Sequence, residues 1–168
     1  MNISIKTIEK SDIPDITAAF ANSEWRIAPS FFENYLAEHE KGERVVLLVY
    51  ADGSFAGHVT IKWKSGYPPF ANRNIPEIND LRVLKEFRRH GIATALVDEA
   101  EKRIFEHSPI VGIGVGMYAD YGPAQRMYIL RGYVPDGRGL YHGSTPVVPG
   151  QDVCVDDSLV LHFIKERK

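Results

Sequence analysis

Residues 78–104 constrain the fold more than any other stretch of the chain. Ile78 to Leu84 is apolar and strand-like. The short basic turn Arg88-Arg89-His90-Gly91-Ile92-Ala93 follows. An amphipathic helix then carries Ile92, Leu96, Ala100 and Ile104 on one face. Strand, glycine-bearing turn and helix together make a physical recipe for holding phosphate. The first amides of a helix lack intrahelical partners, and the aligned peptide dipoles favour an anion there. Gly91 removes a side chain where backbone must approach a ligand, and Ala93 keeps the next contact small.

The surrounding pattern decides the sheet type. Ile3, Ile5 and Ile8 suggest an opening strand. Ser11 or Asp12 caps a helix through Ile13, Ile16 and Phe20, with Pro14 in its first turn. A second helix is predicted over Ser30 to His39, ending near Gly42. Glu43 to Tyr50 reads as a buried strand, Asp52-Gly53 as a hairpin turn, and Phe55 to Trp63 as the return strand. Ser65 to Asn74 reads as a loop, and the helix of the opening motif ends at about His107. Further on, Pro109 to Met117 is a strand, Pro123 to Leu130 a helix stopped by Gly132, and Tyr133 a short strand or turn. Arg138 to Gln151 is a Gly/Pro-rich loop, and Val155 to Ile164 is a closing strand. Three consecutive strands before the long helix exclude a purely parallel sheet. The expectation is an α/β fold of the α+β type: a mixed central sheet of six to seven strands, flanked by helices on both faces. No linker divides residues 1–168, so a single domain is expected.

Composition narrows the function classes. A net charge of −2 without a long basic run argues against nucleic acid as a partner. Cys154 is the only cysteine, so no internal disulfide can form, which fits a cytoplasmic location. No run approaches the ~20 apolar residues of a membrane span, and no signal peptide is seen. The six histidines show no metal-ligand spacing, so no metal is expected. Gly112, Gly114 and Gly116 alternate along a strand and lack the G-x-G-x-x-G step. Their bare face suits close packing against a ligand or helix.

A second motif follows: Ala124, Tyr128, Gly132 and Tyr133, in the spacing Ala-x-x-x-Tyr-x-x-x-Gly-Tyr. With Arg88, Gly91, Ala93 and the lead-in Leu81-x-Val83, it resembles the GNAT (Gcn5-related) N-acetyltransferases over residues 75 to 135. The resemblance implies a fold whose central strands splay apart and acetyl-CoA as co-substrate. It also implies direct transfer of the acetyl group to an amine. The backbone of Leu81, Arg82 and Val83 would pair with the pantetheine arm, with a backbone N–H there as the oxyanion contact. Amides from Arg89, His90, Gly91, Ile92, Ala93 and Thr94 would hold the pyrophosphate, and Arg88 and Arg89 would add positive charge. Tyr128 becomes the acid for the departing thiolate, since a phenol is protonated at neutral pH. Glu77 is the base by the spacing of the histone-acetylating branch, and Asp80 is its rival on the same strand. Period-2 alternation separates those two faces unless the strand carries a bulge. One position departs from the pattern: Tyr121 stands where the family often has Asn beside the cofactor.

The acceptor wall is expected from Trp25, Trp63, Tyr67, Phe70, Tyr118 and Tyr141, with Asp80 also near the substrate. Asp156-Asp157 would attract a cationic acceptor. The resulting expectation is an N-acetyltransferase for a small-molecule primary amine. Its alternatives are a protein acetyltransferase, acting at an N-terminus or lysine, and a non-enzymatic acyl-CoA sensor. A closed aromatic cup at residues 63 to 70 would favour a small substrate. The family commonly forms homodimers, and nothing in the sequence specifies an interface.

Overall fold

A computed structural model of the chain describes residues 1–21 and 23–167. They form eight strands and five helices in a mixed α/β arrangement, eight strands where six or seven were expected. Backbone contacts divide the chain into two compact units, Met1–Lys62 with Ile78–Arg103, and Trp63–Glu77 with Ile104–Lys168.

In the first unit, β1 (Ile3–Thr7), β2 (Arg44–Ala51) and β3 (Ser54–Lys62) are successive antiparallel neighbours, with β4 (Glu77–Val83) beside β3. Asp52 and Gly53 make the two-residue turn between Ala51 and Ser54. Because β2 is apolar at every position from Val45 to Val49, both its faces are buried. Val46 and Leu48 meet Ile16 and Phe20 of α1 (Ile13–Ala21) and Phe32 of α2 (Pro29–Glu40) in one cluster. The apolar stripe Ile92, Leu96, Ala100 and Ile104 of α4 (Ile92–Phe105) is at most 1% exposed. A buried guanidinium ties α2, β3 and β4 together. Arg44 Nε donates to Glu38 at 2.5 Å, and its Nη1 donates to Thr60 Oγ1 at 2.6 Å. The Thr60 hydroxyl in turn donates to the Asn79 carbonyl at 3.0 Å.

In the second unit the strand order is β5 (Ile110–Gly116), β8 (Leu159–Glu166), β6 (Val134–His142) and β7 (Thr145–Pro146), all antiparallel. Two departures from the sequence expectation lie here. The segment predicted as loop from Arg138 supplies the end of β6 and all of β7. Periodicity missed it because β6 is broken by a register shift between Pro135 and Leu140. The loop from Ser65 to Asn74 contains the short helix α3 (Pro68–Ala71), whose Phe70 is 1% exposed. Phe70 explains one bare glycine of β5. A Cβ on Gly112 would lie 2.2 Å from the Phe70 ring, and one on Gly116 would lie 2.4 Å from the Tyr121 ring. On this face Gly112 and Gly116 make room for the chain's own aromatic rings.

Candidate functional site

The turn into α4 carries the backbone geometry of an anion cradle. Arg89 has φ +65 and Gly91 φ +79, two left-handed residues on either side of His90. The first main-chain bond of the helix runs from Ala95 N–H to Gly91 O at 2.9 Å. The amides of Ile92, Ala93 and Thr94 precede it and are directed out of the helix end. A Cβ on Gly91 would meet nothing within 4 Å. Glycine is therefore required there by its dihedral angle rather than by crowding within the protein. Arg89, His90 and Thr94 are exposed and Ala93 is half-buried, an arrangement that fits a pyrophosphate.

Arg88 takes a different place from the one expected of a phosphate ligand. Its Nε donates to the Val83 carbonyl at 3.0 Å, its Nη2 donates to Glu24, and its guanidinium lies 5.3 Å from the Trp25 ring. Arg88 thus clamps the end of β4 to the segment after α1. Arg82 meets the same aromatic group, 5.6 Å from both the Trp25 and Phe31 rings. The structure therefore brings Trp25, Arg82 and Arg88 together, with both guanidiniums near the Trp25 ring.

Asp80 is the kink in β4. It has φ +51, a left-handed conformation that breaks the alternation of the strand. Its carboxylate accepts from Arg82 Nε at 2.6 Å, from Tyr35 Oη at 3.0 Å and from His58 Nε2 at 2.9 Å. Burial alone would raise the Asp80 carboxyl. The His58 contact, the Arg82 charge and the Tyr35 hydroxyl outweigh burial and hold it at about 2. A carboxylate so saturated is a poor proton acceptor at neutral pH. Since it can only accept, His58 carries its proton on Nε2. His58 is fully buried against Phe20, Phe32 and Tyr35, and its Nδ1 has no hydrogen-bond partner among the described residues. The sequence reading missed His58 and Tyr35. The signal was a lone histidine inside an apolar strand, which needs a polar partner from another element.

Glu77, the first residue of β4, is 7% exposed and accepts the Ser65 hydroxyl at 2.5 Å. The Tyr67 N–H donates to Ser65 Oγ at 3.0 Å, which turns the serine proton toward Glu77. Tyr67 itself is 4% exposed. Its hydroxyl donates to Asp136 at 2.7 Å and its ring stacks on His162 at 3.5 Å. Trp63 meets the edge of His107 at 5.4 Å. The rings of residues 63 to 70, which as a closed cup would favour a small substrate, are engaged in packing: Tyr67 and Phe70 form a cluster with Ile75, Tyr141 and Ile164.

Tyr128 lies on α5 (Gly122–Leu130) and is 4% exposed. The second motif has a backbone explanation. Tyr133 N–H bonds to Tyr128 O and Gly132 N–H to Ile129 O, both at 3.0 Å, with Gly132 at φ +88. These are the paired bonds of a Schellman helix end, and the Tyr128 and Tyr133 rings, 5.5 Å apart, are its apolar contact. The Gly-Tyr pair therefore fixes where Tyr128 sits. Before α5, the hydroxyls of Tyr118 and Tyr121 both donate to the exposed carboxylate of Asp157. Gln125 donates to the Gly116 carbonyl at 2.8 Å. Among the described residues no group of three or more His, Cys, Asp or Glu could hold a metal ion. No helix among them is long and apolar enough to cross a membrane.

Solved structures share this fold across nearly the whole chain. The ribosomal-protein-alanine N-acetyltransferase of Brucella melitensis is 17% identical with a TM-score of 0.68, covering 98% of this chain and 99% of that one. The PaiA N-acetyltransferase of Thermoplasma acidophilum, solved in complex with coenzyme A, is 15% identical with a TM-score of 0.64, covering 99% and 100%. A chimeric spermidine N-acetyltransferase from Vibrio cholerae is 14% identical with a TM-score of 0.69, covering 99% and 96%. No curated protein matches the sequence. The model of the acetyltransferase (GNAT) family matches residues 9–133, both motifs included, and the chain belongs to that family.

Proposed function

We propose that the protein transfers an acetyl group from acetyl-CoA to the primary amine of a small molecule. The observation that carries this reading is the turn before α4, where Arg89 and Gly91 are left-handed and the amides of Ile92, Ala93 and Thr94 precede the helix bond from Ala95 N–H to Gly91 O. Acetyl-CoA supplies the activated acyl group, and its pyrophosphate is the anion such a turn suits. The chain supplies orientation and proton movement. The amides of Leu81 to Val83 line up the donor and stabilise charge on the carbonyl oxygen. Tyr128 gives its phenolic proton to the leaving sulfur. Glu77 takes the proton of the amine, and the Ser65 hydroxyl orients its carboxylate. Asp80 has no share in proton transfer, because three donors already occupy it. A cationic amine is favoured by Asp157, an exposed carboxylate flanked by two tyrosine rings 5.1 Å apart.

The test is a thiol-release screen with acetyl-CoA over small amines and peptides with free N-termini. Turnover with a small cationic amine is expected. Turnover confined to peptides would establish the protein-acetylating reading instead. Acetyl-CoA binding without release for any amine would make the protein a sensor. In the active system, Tyr128→Phe should lower kcat about 100-fold while leaving acetyl-CoA affinity unchanged. Loss of binding in that variant would remove Tyr128 from the acid role.

A further inference from the structure

A cavity of about 360 Å³ in the second unit has chemistry that acetyl transfer leaves unused. It is lined by Pro69, Asn72, Arg73, Arg138, Tyr141 and Ser144, among others. Its size is that of a small-ligand pocket. The lining holds two cationic side chains and no anionic one. Arg73 and Arg138 have neither an ion-pair nor a hydrogen-bond partner for their guanidiniums among the described residues.

Local backbone geometry places each of these two arginines in the lining, by a separate device for each. Arg138 lies between Gly137 at φ +80 and Gly139 at φ +74, within the register shift that breaks β6. A bulge of this kind re-aims a side chain that regular pairing would direct elsewhere. The nearest acid in sequence, Asp136, leaves the guanidinium unneutralised. One of its oxygens accepts the Arg138 backbone N–H at 3.0 Å, and the other accepts the Tyr67 hydroxyl at 2.7 Å. Arg73 follows α3, whose Phe70 is seated over Gly112. Asn74 beyond it is left-handed, at φ +53, and Ile75 N–H bonds back to Phe70 O at 3.0 Å. Both arginines thus project from backbone that is held on each side. The rest of the lining is prolines and Tyr141, with Asn72 and Ser144 as neutral donors and acceptors.

We propose that this cavity binds a small anionic ligand, presenting a carboxylate or a phosphate group to Arg73 and Arg138. Guanidinium donors match the geometry of both groups, and two of them in one concavity provide more selectivity than a single surface charge. Nothing in this assignment depends on the identity of the amine or on acetyl transfer.

The test uses the full chain saturated with coenzyme A, so that the α4 turn is filled before any probe is added. That first titration is scored by itself and reports on the donor site alone. Inorganic phosphate and succinate are then titrated in parallel by calorimetry, at an ionic strength held constant with sodium chloride. One probe should bind saturably with a Kd below about 5 mM. Arg73→Ser/Arg138→Ser should weaken that binding at least about tenfold and leave coenzyme A affinity unchanged. The probe that binds identifies the class, phosphate or carboxylate. Ser144→Asp keeps both arginines and places an anion in the lining, so it too must weaken the probe. Absence of saturable binding by either probe overturns the proposal, as does equal affinity in the double variant and the wild type.

Discussion

Asp80 offers the sharpest test of the site, because two explanations of one carboxylate predict opposite outcomes. As a proton acceptor, it would be irreplaceable by glycine. As the keystone of the β4 kink, it has two jobs with separate costs. The first is to hold φ +51, which an ordinary L-residue adopts at a cost of about 1 kcal/mol. The second is to satisfy three donors. The His58 donor is fully buried, and leaving it unpaired costs about 1–3 kcal/mol. Tyr35 and Arg82 are half-buried and recover part of their loss from water. Asp80→Ala incurs both costs, about 3–4 kcal/mol in all. Asp80→Gly incurs only the second, about 2–3 kcal/mol. Asp80→Asn tolerates the left-handed conformation and keeps one acceptor, so about 1–2 kcal/mol is expected. His58→Phe preserves the packing on Phe20 and Phe32 and removes the buried donor. In that background Asp80→Ala should cost about 2 kcal/mol less than in the wild type. Urea unfolding followed by tryptophan fluorescence reads all four quantities. Equal costs for Ala and Gly, or additivity in the His58 cycle, would refute the keystone assignment. The same interactions set an acid limit. The native carboxyl is held at about 2 against an ordinary 3.8. Its contribution is therefore complete above pH 4 and lost as the pH falls toward 2, about 2 kcal/mol in all.

Other outcomes follow from the same structure. Acetyl-CoA should raise the Tm of the wild type. Gly91→Glu should abolish that shift, since it forces a side chain into φ +79 and sets an anion against the pyrophosphate; a retained shift would refute the turn assignment. Gly112→Ala should destabilise by about 1–3 kcal/mol through collision with Phe70, and Phe70→Leu should relieve part of that cost; a neutral Gly112→Ala would contradict the packing. Burial holds the His162 imidazole down at about 4, although Asp136 acts in the opposite direction. The unfolded chain therefore takes up this proton first as the pH falls below 6.5. Stability should drop by about 1–2 kcal/mol between pH 7 and 5, measured by urea midpoints, and His162→Phe should flatten that slope.

The parts of the fold legible in the sequence are those governed by short-range rules. Buried β2, the Asp52-Gly53 hairpin and the stripe of α4 follow from periodicity and turn chemistry, and each is present within a residue or two of its expected bounds. β6 was not legible. Its pairing with β8 is interrupted at Gly137 and Gly139, so no period-2 pattern survives from Pro135 to Leu140. The closing strand begins at Leu159 rather than Val155, because Asp156 to Ser158 form a turn that apolar content does not reveal. Glycines on β5 announce that something approaches closely. What approaches is Phe70, at a sequence distance that no local rule spans.

The candidate site divides along a related line. Motif spacing finds positions that the backbone requires, and it finds them for backbone reasons. Gly91 is needed for its dihedral angle, and Gly132 for the helix end that fixes Tyr128. Side chains are harder, because residue type reveals capacity and not occupancy. Asp80, Arg88 and Tyr67 each have the functional groups to serve an active site. Asp80 accepts from Arg82, Tyr35 and His58, Arg88 donates to Val83 and Glu24, and the Tyr67 hydroxyl is given to Asp136. Arg73 and Arg138 lie in two separate stretches read as loop, yet their guanidiniums have no partner among the described residues and both arginines line one cavity. A bond already made within the fold must be broken before its group can serve a ligand. An unspent donor in a concave wall has no such cost to meet. Asp80, Arg88 and Tyr67 therefore each hold part of the scaffold together, and the two arginines that no motif marks are the proposed ligand contacts.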